Sequence, residues 1–161
     1  MRIHKYVRKG VSARINEPSA AYAKANRDVS VHDLLGVEST RVAEPLDRVE
    51  TFRKGLRKKS FEKLKEFTGL DNTILASALA VSTKTLQRTQ VFDVVQSEKM
   101  YELAELYSIG ISYFGEEGFK RWMVRPLFSL GNISPLDLID VSEGLTLLKT
   151  EIKRVQYGIA V

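Results

Sequence analysis

Apolar residues recur at three- and four-residue spacing through most of the chain, and the polar or glycine breaks between them mark out a series of helices. Val31 to Gly36 reads as a short helical turn closed by its glycine. Pro45 opens a helix to Lys54 with Leu46, Val49 and Phe52 on one face, and Gly55 ends it. The next segment keeps Phe61, Leu64 and Phe67 at helical spacing while Arg57, Lys58, Lys59, Lys63 and Lys65 give it a cationic side. Thr68 to Asp71 breaks that helix, and Asp71 is a good N-cap for its successor. From Ser97 to Tyr113 the stripe is Met100, Leu103, Ala104, Tyr107 and Ile111, with Gly110 as a point for a kink or an end. A short helix follows over Gly115–Met123, with Glu116 and Glu117 against its N-terminal dipole and Pro126 as its stop. Ser134-Pro135-Leu136-Asp137 is a helix start, and Ser142 is expected to cap a last helix striped by Leu145, Leu148, Ile152 and Val155. Gly158 ends it, leaving Ile159-Ala160-Val161 as a short apolar tail. No sustained apolar–polar alternation points to a sheet, so the predicted class is all-α.

Within this series, Leu75 to Arg88 reads as two short helices joined by a tight turn. Leu75, Ala76 and Leu79 share one face of the first, and Val81 and Leu86 seal the angle between the two. Ser82 is placed to cap the second helix. Thr83, Lys84, Gln87 and Arg88 are then left outside as hydrogen-bond donors, which is the arrangement of a helix-turn-helix. Ser82, Thr83, Lys84 and Thr85, at the start of the second helix, are candidates for base edges. Gln87 and Arg88 reach bases or phosphates, and Arg57, Lys58 and Lys59 supply sequence-independent attraction. Helical hairpins that touch no DNA share the same apolar turn and polar outer face.

Composition sharpens this picture modestly. The chain has 161 residues, 43% of them hydrophobic, which suffices for a buried core in one domain or two small ones. A net charge of +5 is compatible with nucleic acid. Basic residues concentrate early: Arg2, Lys5, Arg8, Lys9, Arg14, Lys24 and Arg27 face only Glu17 and Asp28. Residues 1–44 are therefore expected to be a basic arm, partly flexible, ahead of a DNA-binding region over 45–95 and a helical domain over 96–161. Cysteine is absent, which excludes disulfides and thiolate zinc sites. Neither a signal peptide nor a membrane span is expected, and the predicted location is cytoplasmic.

Catalytic chemistry finds little to work with. His4 and His32 are isolated, and no phosphate loop, HExxH or metal-type cluster occurs. Glu116 and Glu117 are neighbours that diverge by about 100° on a helix, so they cannot act as a matched acid and base. No catalytic residue, cofactor or metal is expected.

The last third carries an ordered set of motifs. Trp122-Met123, then Pro126 before Leu130-Gly131, then Ser134-Pro135-Leu136-Asp137, then Gly144, then Tyr157-Gly158 resemble the C-terminal toxin-binding domain of the Xre/MbcA/ParS antitoxin family. Leu79 to Arg88, with its Thr85-Leu86-Gln87-Arg88 run, resembles that family's Xre-like helix-turn-helix. Ala80 departs from the pattern by standing where the turn usually has glycine, which asks the backbone there to avoid a left-handed φ. Thr89 replaces a frequent second arginine. The resemblance implies a non-enzymatic antitoxin that covers the active site of a RES-type toxin, one that consumes NAD or transfers ADP-ribose from it, and that represses its own operon. A homodimer on a two-fold operator is the implied assembly. It also implies that the last helix and tail bind the toxin, through Arg154, Tyr157, Gly158, Ile159 and Val161. Trp122 and Pro126 are expected to be structural. The alternative is a stand-alone helix-turn-helix regulator whose C-terminal domain dimerises or senses a ligand.

Overall fold

A computed structural model of the chain describes residues 28–158. Most of the basic arm, with His4, and the tail residues Ile159 and Val161 lie outside the described residues. Eight α-helices follow one another: α1 (Val31–Leu35), α2 (Pro45–Lys54), α3 (Lys58–Thr68), α4 (Asn72–Ala78), α5 (Thr83–Arg88), α6 (Val94–Phe114), α7 (Glu116–Val124) and α8 (Ser142–Gln156). Three-residue or four-residue 3₁₀ turns connect several of them, and two isolated bridges are the only strand-type pairings among the described residues.

Local chemistry accounts for most helix ends. Ser30 and Asp33 form a reciprocal capping box on α1, and Gly36 closes it in the left-handed region at φ +59°. Asp33 is held below the usual carboxylate range, chiefly by the Ser30 hydroxyl that donates to it. Pro45 opens α2 as predicted, and the Asp71 carboxylate accepts from the Ile74 amide at 2.9 Å to start α4. The start of α6 differs from the sequence reading. Asp93 and Gln96 cap each other's backbone amides, so the helix begins at Val94, a turn before Ser97. Ser97 is instead fully buried, and its hydroxyl accepts from the Leu56 amide at 2.9 Å.

α6 is the axis of the molecule. α1, α2 and α3 pack on it, as do α7 and α8. Its buried residues fall on two adjoining faces, Met100, Ala104, Tyr107 and Ile111 on one and Leu103, Leu106 and Gly110 on the other. One continuous apolar core results, running from Leu34 and Leu35 in α1 to Leu148 and Ile152 in α8. Within the segment that the sequence reading placed in an arm, α1 is docked in the core through Leu34 and Leu35. Likewise, the boundary expected after residue 95 falls inside α6.

Gly110 and the Ser134–Asp137 motif resolve differently from the sequence reading, while Gly144 lies in the first turn of the last helix, as expected. α6 runs straight through Gly110, where the Phe119 ring fills the space a side chain would need, a Cβ there lying 2.2 Å from the ring. Gly144, in the first turn of α8, presses against the Leu138 carbonyl, where an added Cβ would lie 1.9 Å from the oxygen. Ser134-Pro135-Leu136-Asp137 opens only a four-residue 3₁₀ turn, Pro135–Leu138, which that contact clamps onto α8. Ser142 is not the cap of α8; Val141 occupies that position, and the Ser142 hydroxyl donates to Glu102 of α6 at 2.8 Å. Two predicted stripes are only partly buried: Leu46 and Val49 of α2 and Val155 of α8 remain exposed.

Candidate DNA- and partner-binding surfaces

The helix-turn-helix is assembled around Leu75, Ala76, Leu79 and Leu86, all buried, with Val81 half-buried at the bend. Ser82 caps α5 by accepting from the Thr85 amide at 3.0 Å, and its hydroxyl also meets that of Thr85 at 2.8 Å. Thr83, Lys84, Gln87 and Arg88 are exposed together on the outer side of α5. Ala80 occupies the turn at φ +55°, so the alanine does adopt the left-handed conformation that the sequence reading had it avoid.

The cationic start of α3 lies beside the end of α5. The Lys58 amide donates to the Gln90 carbonyl at 2.8 Å, and the Phe92 amide to Leu56 at the same distance. These bonds tie the N-terminus of α3 to the loop leaving α5. Arg57 and Lys59 are exposed on this edge. Lys58 is turned inward: its ammonium donates to the Leu86 carbonyl at 2.8 Å, lies 4.7 Å from the centre of the Phe61 ring and pairs with Glu62 at 3.5 Å. It holds a carbonyl at the C-terminal end of α5, where a cation also favours the helix dipole.

On the opposite half, α8 carries the residues that the family resemblance singled out. Arg154 is half-buried and pairs with Glu151 at 3.5 Å, and Glu151 in turn accepts from the Ser129 hydroxyl at 2.6 Å. Tyr157 is 75% exposed, and Gly158 ends the helix at φ +67°. Lys149 of α8 pairs with Glu105 of α6 at 2.5 Å, which ties the middle of the helix to α6.

Beside the end of α8 lies a groove of about 600 Å³ that the sequence reading did not single out. Tyr113, Phe114, Trp122 and Leu127 line it, with Arg121 and Arg125 at its edge. Trp122 was expected to be core; it is half-buried and forms a wall of this groove. Its ring stacks on Phe114 and Phe119, at centroid distances of 5.6 and 5.7 Å, and Phe119 is fully buried. Pro126, also expected to be structural, is exposed in the strand-like exit from α7. The sequence signal for this site was the pair Arg121 and Arg125, one helical turn apart and flanking the tryptophan.

No group of three or more His, Cys, Asp or Glu side chains among the described residues is placed to hold a metal ion. None of the described helices is long and apolar enough to cross a membrane.

Comparison with known proteins finds two family models in succession. Residues 47–105 match the antitoxin Xre-like helix-turn-helix domain, and residues 110–158 match the antitoxin Xre/MbcA/ParS C-terminal toxin-binding domain. A relative from Sphingobium sp. (strain YBL2), named Prs ADP-ribosylating antitoxin, is 26% identical over 132 residues, spanning 72% of this chain and 82% of that protein.

Proposed function

The chain belongs to the Xre/MbcA/ParS antitoxin family, and from that premise we propose that it neutralises a RES-type toxin and represses its own operon by binding the promoter. The observation that carries this reading is the pairing of the two matched regions through one helix, α6. The name of the Sphingobium relative, with its term ADP-ribosylating, supports ADP-ribosyl transfer as the chemistry held in check. In this reading the protein is not itself an enzyme and acts by covering the toxin's active site. Arg154, Tyr157 and Gly158, continued by Ile159 and Val161, contribute to the toxin contact. Two copies meet a two-fold operator, and the complex works in the cytoplasm.

Thr83, Lys84 and Thr85 read base edges, Gln87 and Arg88 reach bases or phosphates, and Arg57 and Lys59 add attraction to the backbone. Their exposure on one edge supports this assignment. Replacing Lys84 and Arg88 together with alanine is expected to weaken promoter binding by at least about tenfold, given roughly 1–3 kcal/mol for each specific contact. Toxin neutralisation in a growth-rescue assay should be unchanged. If a folded double variant bound the promoter as tightly as the parent, the assignment of α5 to DNA would be lost. If no toxin gene lay beside this one, or the parent chain failed to protect cells from such a gene's product, the antitoxin reading would fall and a stand-alone regulator would take its place.

A further inference from the structure

The groove at the junction of α6 and α7 has features of a partner site. Its tryptophan wall is braced, because Trp122 stacks on Phe114 and on the buried Phe119 at interplanar angles of 24° and 19°. A braced tryptophan with arginines around it is the composition of a binding hot spot. Arg121 and Arg125 are exposed, and neither is in an ion pair among the described residues. The neighbouring Lys120 is already committed, at 2.9 Å from Glu116 and 3.6 Å from Glu117, and the Glu116 hydrogen bond holds its amine above the usual range. The groove edge thus presents two arginines that no ion pair engages among the described residues.

The occupant can be argued from what surrounds the groove. Val124 is 62% exposed and Phe128 87% exposed, each adjacent in the chain to a lining residue. A small ligand filling about 600 Å³ would leave both of them in water, whereas a protein surface would cover groove and flank together. A second copy docking two-fold through the same patch would bring together two surfaces that carry arginines and no carboxylate in the groove lining. The groove also adjoins the end of α8: the Tyr113 hydroxyl donates to the Val155 carbonyl at 3.3 Å, two residues before Tyr157.

We propose that the toxin docks in this groove, placing an apolar or aromatic side chain against Trp122 and carboxylates on Arg121 and Arg125. The proposal rests on the antitoxin reading above and locates the centre of the toxin contact on α7, with the end of α8 at its margin. Acidic residues on the toxin complement the arginines and set the orientation of docking.

The test uses the full chain and a purified RES-type toxin from the same genome that the parent chain neutralises. Arg121→Glu with Arg125→Glu leaves the fold intact, since both side chains are exposed. It is expected to weaken toxin binding by at least about tenfold, as reversal of interfacial charge does, and to abolish growth protection while promoter affinity stays the same. Trp122 is the single tryptophan of the chain, so fluorotryptophan labelling gives one fluorine NMR signal that reports the groove directly. That signal should shift when unlabelled toxin is added. Tight toxin binding by the double variant, with no fluorine shift in the labelled parent, would overturn the groove assignment and leave the antitoxin reading standing. Failure of the parent chain to bind toxin would remove the antitoxin reading and the groove assignment with it. A shift produced by ATP alone, or one that grows with protein concentration without toxin, would overturn the proposal in favour of a small anionic ligand or a second copy.

Discussion

Ala80 illustrates how a single residue records the geometry of the turn it occupies. At φ +55° its Cβ crowds the neighbouring backbone, at a cost of about 1–2 kcal/mol relative to an ordinary helical or extended residue. The turn tolerates this because the Val81 amide still reaches the Ala76 carbonyl at 2.9 Å and Leu79 stays buried. Ala80→Gly removes the crowding but adds freedom to the unfolded chain, so the net gain is expected to be about 0.5–1 kcal/mol. In thermal unfolding this corresponds to a rise of roughly 1–4 °C. A lower midpoint in the glycine variant would show that the turn does not hold the alanine in the left-handed region. Gly110 and Gly144 are glycines for a different reason: both have ordinary negative φ, and each is needed because another group approaches too closely for a side chain. Sequence marked both positions without distinguishing this cause from a kink or a helix start.

At the scale of elements, α5 is too short to stand alone. A six-residue helix forms few internal hydrogen bonds, and helices of this length depend on packing and caps. Ser82 secures its start, Leu86 anchors it, and Lys58 of α3 holds its last turn through the Leu86 carbonyl. The three adjacent cations at the start of α3 therefore divide into two roles. Lys59 and Arg57 face solvent, while Lys58 is committed to the protein itself. Salt titration of promoter binding separates them. Arg57→Ala and Lys59→Ala are each expected to reduce the slope of log affinity against log salt by about 1, because each removes a phosphate contact. Lys58→Met should leave the slope unchanged while lowering stability by about 0.5–1.5 kcal/mol through the lost hydrogen bond. A slope reduced equally by all three substitutions would contradict the division.

For the whole molecule, α6 removes the independence that two matched regions would otherwise imply. Met100, Leu103, Tyr107 and Ile111 of α6 belong to one core cluster that also takes in Leu75, Leu79 and Leu86 of the helix-turn-helix and Leu145 and Leu148 of α8. The core is continuous along α6, so neither half can open without exposing apolar surface of the other. Calorimetry of the full chain is expected to show one cooperative transition, with calorimetric and van't Hoff enthalpies in agreement. Two resolved transitions would show that the halves unfold separately. The same continuity offers a rigid link between the helix-turn-helix and the groove beside Trp122.

The sequence by itself determined the helical class, most of the helix ends, the capped turn around Ser82 and the family, because these depend on local periodicity, caps and the order of short motifs. Even Phe61, Leu64, Leu145 and Leu148 were legible as core from spacing alone. Tertiary structure decided what spacing cannot express. It turned Lys58 inward and left its two neighbours out, docked α1 into the core, and exposed Leu46 on a helix whose stripe looked buried. It also opened the wall of Trp122 into a groove. An apolar or charged side chain has the same local signature whether it meets solvent, a neighbouring helix or a partner. Only the packing of α6 against five other helices settles which of these it meets.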